Sequence, residues 1–187
     1  MPNYCYNNLT IKGDVKSMRE FYDYVGTLDL NFNMTNLLPM PIELENTHHP
    51  VSFHVQSTKE ILSENGTIEK IQINENNQTE QEFMDHCKYL EDKYGADNWY
   101  DWCYENWGCK WDIDDLSIDS QTDEEACISY VTAWNPNYEF ISSLGLKFPN
   151  LTFELEYDEP LMEFAGTFIV KNDTCDDIDW FIQWFHS

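Results

Sequence analysis

A strict alternation of apolar and polar residues runs through the segment LTFELEYD at residues 151–158. The apolar residues occupy the odd positions, and the polar residues, three of them acidic, occupy the even positions. A period of two is typical of a strand that buries one face and exposes the other. The segment therefore predicts a strand whose acidic side chains point out of the core.

Weaker patterns predict the neighbouring elements. Residues 4–12 indicate a first strand, and Asp14 after it is a suitable N-cap for an amphipathic helix. A later helical stripe is expected to end at Gly95. Residues 125–134 are apolar on both faces, which favours an interior strand, and residues 164–170 favour a hairpin partner for the alternating segment.

Other regions are less regular. Residues 31–44 start as an extended pattern that two prolines interrupt, so we expect an ordered loop there. Residues 45–78 are polar and rich in asparagine, with short pieces of structure expected at 51–55 and 68–73. The amphipathic tail, residues 176–187, is consistent with either a docked helix or a last strand.

In chain order these elements read β-α-insertion-β-β-α-β-β. The order predicts an α+β sandwich, in which a mostly antiparallel sheet carries its helices on one face. A hydrophobic content of 42% is ample for a packed core. We therefore expect a single domain over residues 1–187, with an insertion at about 45–96.

The segment NWYDWCYENWGCKWD at residues 98–112 contains four tryptophans and is the most aromatic part of the chain. On a helix its rings cover an arc of about 200°, wider than the stripe of a surface helix. Nucleotide stacking is the alternative, but such sites pair rings with cations, and only Lys110 is near. The pattern favours a structural helix that ends at Gly108, with Lys110 against Trp107 or Trp111.

Sequence blocks along the chain also carry a family resemblance: MPNYCYNNLTIKG, NFNMTNLLPMP, WGCKWD, VTAWNP, FPNLTFELEYDEP and EFAG. They resemble the YubB-like, ferredoxin-like domain family of phage and plasmid proteins, and they fall in order from Met1 to about Val170. The resemblance implies a ferredoxin-like βαββαβ core carried on a mobile element, and it implies no catalytic residues. Two departures are the absence of the family's glycine at residues 160–163 and the unmatched residues 45–78.

Charge dominates the composition, because the formal net charge is −25. Residues 111–187 contain 17 acids and 2 bases, and no Lys or Arg lies between Trp111 and Leu146. Such a surface repels phosphate backbones and attracts basic proteins, so direct nucleic-acid binding is disfavoured. No signal-peptide pattern, membrane-length apolar run or C-x-x-C pair occurs, which predicts a cytoplasmic protein with reduced cysteines. The family resemblance implies that this cytoplasm is that of a bacterial host cell.

Carboxylates of the C-terminal half are the candidate partner-binding residues. They are Glu154, Glu156, Asp158, Glu159, Glu163, Asp119, Asp123, Glu124, Glu125, Asp176 and Asp177. Outward carboxylates on a strand repeat every 6.5–7 Å or so, close to a phosphate spacing of about 7 Å along DNA. The interpretation is a non-enzymatic protein that imitates nucleic acid and inhibits a host defence nuclease, such as a CRISPR effector or a restriction enzyme. A merely solvated sheet face is the alternative.

Other chemistry has weaker support. No nucleophile, phosphate-binding or dinucleotide motif occurs, so no catalytic residue or cofactor is assigned. A loop metal site would need His48, His49 and His54 to converge, and adjacent residues of an extended segment point apart. The acids from Asp112 lack the glycine of a calcium loop. The alternative function is a small-ligand or nucleotide-binding domain, enzymatic or not, that uses a cleft beside the aromatic helix.

Overall fold

The computed structural model describes residues 3–63, 65–172 and 174–181, with the backbone alone for residues 177–181. Contacts divide the chain into two compact units. The first unit is Met1–Pro39 with Cys103–Ser187, and the second unit is Met40–Trp102. The predicted insertion falls inside the second unit, and the expectation of a single domain stays a prediction. Within the described ranges, no helix is long and apolar enough to cross a membrane.

The described chain forms both helices and strands. In chain order they are β1 (Tyr4–Lys12), α1 (Val15–Val25), α2 (Leu28–Asn31), α3 (Met34–Leu37), β2 (Ser57–Leu62), β3 (Ile68–Ile73), α4 (Glu80–Tyr94), α5 (Trp99–Trp107), β4 (Asp114–Gln121), β5 (Glu125–Ala133), α6 (Tyr138–Lys147), β6 (Thr152–Glu159), β7 (Phe164–Lys171) and β8 (Thr174–Phe181).

The first unit is built on one antiparallel sheet with the strand order β4-β5-β1-β6-β7-β8. Strands β4, β5, β1 and β6, with α1 and α6, follow the chain order β1-α1-β4-β5-α6-β6. Strands β7 and β8 extend the sheet beyond β6. This is the ferredoxin-like βαββαβ arrangement, and the predicted α+β class is confirmed. Edge strand β4 is irregular, because its register with β5 shifts twice. In the second unit β2 and β3 form a separate hairpin.

The core of the first unit lies between the sheet and α1 and α6. Alternate β1 residues such as Leu9 and Ile11 are buried. The ring of Phe21 on α1 meets Phe153 on β6 edge to face, with a centroid distance of 6.1 Å. The predicted N-cap of α1 is confirmed, because Asp14 Oδ1 accepts hydrogen bonds from the backbone of the first turn. Burial of this face leaves the opposite face of the sheet to the polar residues.

Helix α5 has the structural role that its ring pattern predicts. Trp102, Cys103 and Trp107 are buried, and the indole Nε1 of Trp107 donates a hydrogen bond to the carbonyl oxygen of Leu38 at 2.9 Å. The helix ends before Gly108, as expected, and the φ angle of Gly108 is 83°. Lys110 Nζ lies 4.9 Å from the centre of a Trp111 ring, so the predicted cation–π contact forms with Trp111.

The structure shows what three irregular regions of the sequence form. Residues 31–44 are not extended at their start, because α2 and α3 form there, and the Asn33 side chain caps α3 by accepting from Asn36 N. The piece expected at 51–55 is wrong: Ser57 pairs with Ile73, so the hairpin ladder begins later in the chain. The piece at 68–73 is confirmed as β3. The tail continues the sheet as β8 up to residue 181, and residues 182–187 lie outside the described residues.

Candidate functional site

The sheet of the first unit has an open face, which is the face opposite the helices. It presents the residues that alternate with the buried core positions of each strand. On the inner strands these residues are Tyr6, Asn8, Thr10, Lys12, Cys127, Ser129, Val131, Thr152, Glu154, Glu156, Asp158, Ala165, Thr167, Ile169 and Lys171. All of them are exposed or half-exposed.

A row of three carboxylates runs along β6 on the open face. Glu154, Glu156 and Asp158 occupy alternate positions, as the sequence predicts, while the residues between them are buried. The Cα atoms of neighbouring residues in such a row lie about 6.5–7 Å apart. Asp158 stands opposite Tyr6 of β1, and Glu156 stands opposite Asn8. The row is therefore flanked by an aromatic ring and by neutral polar groups rather than by cations.

Two further predicted acids extend this charge across the sheet. Asp176 on β8 is exposed and stands opposite Ile169, which in turn pairs with Glu154. Asp119 on β4 is exposed and accepts a hydrogen bond from Ser129 Oγ at 3.4 Å. The structure thus brings acids of three strands to one face. Asp177 pairs with Phe168 along the backbone, and its side chain lies outside the described residues.

Cations of the open face gather at one end of the sheet. Lys12 Nζ lies 3.5 Å from Glu125 Oε2, and Lys171 stands near it, opposite Thr152. The predicted acids Asp123 and Glu124 lie beside this end in the exposed β4–β5 turn. Glu125 is therefore partly neutralised. The excess negative charge of the open face lies toward the opposite end, where Asp158 and Tyr6 stand.

Two more of the predicted acids are the last residue of β6 and a residue of the turn after it. Glu159 is wrong as a surface contact, because its side chain is 0% exposed and its Oε2 accepts a hydrogen bond from the backbone of Met162. The reason is strand parity: Glu159 continues the odd, buried positions of the alternating segment. Glu163 is exposed in the β6–β7 turn, where its φ angle of 59° lies in the left-handed region.

The three candidate histidines, His48, His49 and His54, do not converge. His48 Nε2 lies 3.0 Å from Glu75 Oε1, His49 stacks on Tyr100 at 4.0 Å, and His54 contacts Ser52 Oγ at 2.7 Å. Among residues 3–63, 65–172 and 174–181, no three His, Cys, Asp or Glu side chains are placed to hold a metal ion. The acids from Asp112 onward form no such group within those ranges either.

Buried thiols of the first unit are unsuited to nucleophilic chemistry. Burial, and then the charge of Glu159, raises the pKa of the Cys5 thiol to about 12. Burial, and then Asp112, raises the pKa of Cys103 to about 12. Burial raises the pKa of Cys109 as well. Because the thiolate is the reactive form, we expect these cysteines to react slowly at neutral pH.

A cleft beside the C-terminal end of α5 matches the location of the alternative ligand site. It has a volume of about 390 Å³, and Tyr104, Tyr138, Glu139 and Phe164 are among its lining residues. Sequence reasoning missed Glu139, which looks in the sequence like an ordinary acid in the first turn of a helix. It also missed Tyr6, whose place beside Asp158 follows only from the strand register.

The fold and the open face define a ferredoxin-like α+β protein with an acidic sheet surface. The family model described as the ferredoxin-like domain in Api92-like protein matches residues 106–185. That range contains every acid predicted for the partner surface. A comparison of the sequence with curated proteins gave no match.

The structure is also similar to the crystal structure of protein Api92 from Yersinia pseudotuberculosis. The two agree with a TM-score of 0.51 and 10% sequence identity, over 96% of this chain and 98% of that chain. At this identity the likeness concerns the fold alone.

Proposed function

We propose that this protein is a non-enzymatic interaction protein that binds a basic protein partner through its open face. The observation that supports the proposal most directly is the outward row Glu154, Glu156 and Asp158, which lies on the sheet face opposite the described helices of the first unit. With a net charge of −25, the chain attracts basic surfaces from a distance and repels other acidic ones.

We further propose that the partner is a nucleic-acid-binding protein of a bacterial host, such as a CRISPR effector or a restriction enzyme. The spacing of the carboxylate row, about 6.5–7 Å, resembles that of phosphates. A protein of this kind would occupy the positive groove of a nuclease in place of its nucleic acid. Carriage on a phage or plasmid and membership of the YubB-like family, which the sequence blocks imply, belong to the same proposal, as does action in the cytoplasm.

Binding explains the open face better than catalysis does. General acid–base pairs need carboxylates whose surroundings separate their pKa values, usually through an enclosed apolar pocket. Glu156 and Asp158 instead lie exposed on one strand face. Such a row serves as a charged surface and is poorly suited to proton transfer.

The test is affinity capture from a bacterial lysate, followed by mass spectrometry and by competition with duplex DNA. The wild-type chain is compared with a triple variant in which Glu154, Glu156 and Asp158 are each replaced by lysine. We expect the wild-type chain to retain a basic nucleic-acid-binding protein, and to release it at high salt or on addition of DNA. The triple variant is expected to lose the partner.

A matched control separates the face from the overall charge. Replacing Glu80, Glu91 and Asp92 by lysine changes three exposed acids of α4 and raises the net charge by the same amount. We expect this control to keep the partner. Equal loss in both variants, or partner binding that survives high salt unchanged, would show that the open face is not the binding surface.

A further inference from the structure

The cleft beside α5 has aromatic walls that are held in place by the core. Tyr138, at the start of α6, meets Tyr157 edge to face at 5.3 Å and lies 4.8 Å from Phe168. Phe164 lies 6.1 Å from Tyr157. Tyr104 of α5 lines the same cleft. The walls are therefore preorganised, so a ligand would not have to order them on binding.

Glu139 is the charged side chain among the residues that line the cleft. The Glu139 carboxylate lies close to Gly108, and a β-carbon added at Gly108 would overlap Oε2 of Glu139. The same β-carbon would lie 3.2 Å from the carbonyl oxygen of Pro136. Within the described part of the chain, Glu139 forms no ion pair. Burial raises the pKa of this carboxyl group, as expected for a carboxylate that lacks a cationic partner.

A second carboxylate stands behind the Phe164 wall. Glu159 pairs with Phe164 across the β6–β7 ladder, so the two side chains lie on the same face of the sheet. Glu159 is fully buried, and its Oε1 has no hydrogen-bond partner among the described residues. A buried carboxyl oxygen without a hydrogen-bond partner is costly to the folded state.

Aromatic faces and a carboxylate without an ion pair, that of Glu139, favour one kind of ligand. The negative face of a ring attracts a cation, and weakly hydrated cations lose the least hydration free energy when they leave water. A nucleotide is disfavoured, because its phosphates would meet Glu139. We propose that this cleft binds a weakly hydrated organic cation, a guanidinium or a methylated ammonium group, with Glu139 as its counter-ion. The site is separate from the open face and does not depend on the function proposed for it.

Small probes test this site directly. Nα-acetyl-arginine amide and Nα-acetyl-trimethyllysine amide supply the two cations, and Nα-acetyl-citrulline amide is a neutral analogue of the first. Titrations at constant ionic strength are followed by calorimetry and by the backbone amide signals of Gly108 and Phe164. We expect saturable binding of at least one cation, about tenfold tighter than binding of the citrulline compound. The cation that binds with the higher affinity shows whether the cleft prefers a guanidinium or a methylated ammonium group.

Variants then locate the binding. Glu139→Gln keeps the shape of the side chain, and we expect it to weaken cation binding by about tenfold. Glu124→Gln, which removes an exposed carboxylate in the β4–β5 turn, is the matched control and should leave the affinity unchanged. The triple lysine variant of the open face should also bind the cation normally, so that failure of one proposal is distinguishable from failure of the other.

Contrary results are equally clear. Equal affinity for the arginine and citrulline compounds, or an unchanged affinity in Glu139→Gln, would overturn the proposal. The same holds if Glu124→Gln or the triple lysine variant weakens binding as much as Glu139→Gln, because the cation would then be responding to the overall charge.

Discussion

Asp112 holds the first turn of α3 with both of its carboxylate oxygens. Oδ1 accepts a hydrogen bond from Met34 N at 2.7 Å, and Oδ2 accepts one from Thr35 N at 3.0 Å. These contacts tie the segment before β4 to a four-residue helix far away in the sequence. The WGCKWD block thus ends in a residue with a structural task.

We expect Asp112→Ala to lower the free energy of unfolding by about 1–2 kcal/mol, since the backbone donors Met34 N, Thr35 N and Ile113 N lose their acceptor. Asp112→Asn keeps one acceptor oxygen and should cost less. Urea denaturation followed by tryptophan fluorescence measures both. Equal stability of the alanine variant and the wild-type chain would show that water replaces the carboxylate without loss.

Trp107 should be among the most costly positions to truncate. Its side chain is buried and its Nε1 donates to Leu38 O, so Trp107→Ala is expected to cost about 3–5 kcal/mol of unfolding free energy. Trp107→Phe keeps most of the apolar contact and loses the hydrogen bond, so its cost should be smaller. Denaturant titration followed by far-ultraviolet circular dichroism compares the two, and a loss below about 1 kcal/mol in Trp107→Ala would contradict the core role.

Gly145 allows α6 to approach β7 closely. A β-carbon there would overlap Cγ1 of Val170 and lie 3.1 Å from its Cβ. We expect Gly145→Ala to destabilise the fold by about 1–3 kcal/mol, although alanine favours helices, because β-branched Val170 has little freedom to move.

A double variant isolates this contact. Val170→Ala removes the clashing Cγ1 methyl group, so the Gly145→Ala/Val170→Ala chain should be more stable than the sum of the two single losses implies. Thermal and urea denaturation of the three variants provides the comparison. Additive losses would mean that α6 shifts away from β7 instead of pressing on Val170.

Cysteine reactivity should follow burial. Because the pKa of Cys5 is raised to about 12, about one part in ten thousand of its thiol is ionised at pH 8, and Cys103 behaves likewise. Iodoacetamide at pH 8 is therefore expected to label exposed Cys175 first. Peptide mass spectrometry measures the order of labelling, with a denatured sample as the control for intrinsic reactivity. Early labelling of Cys5 in the folded chain would contradict this burial.

Local patterns were sufficient for much of the fold. The alternation in residues 151–158, the N-cap Asp14 and the helix-ending Gly95 each depend on neighbours in sequence, and each is confirmed. The short helices α2 and α3 were missed, and α3 depends partly on Asp112, whose approach no local pattern reveals.

The candidate site was predictable only in part. Strand parity placed Glu154, Glu156 and Asp158 outside, and the same parity, if extended by one residue, would have placed Glu159 inside. The pairing of Asp158 with Tyr6 depends on strand register, which a single sequence does not determine. Glu139 lines a cleft together with Gly108 and Phe164, and only the folded chain brings these residues near it.

The irregular register of β4 has a consequence for how copies of this protein meet. An edge strand offers unpaired backbone groups to any other strand, and natural sheets discourage such pairing with bulges and charges. β4 has both, since its register shifts twice and it carries Asp114, Asp115 and Asp119. A chain with a regular, neutral β4 would be prone to edge-to-edge aggregation. The irregular β4–β5 ladder therefore disfavours self-association through this edge.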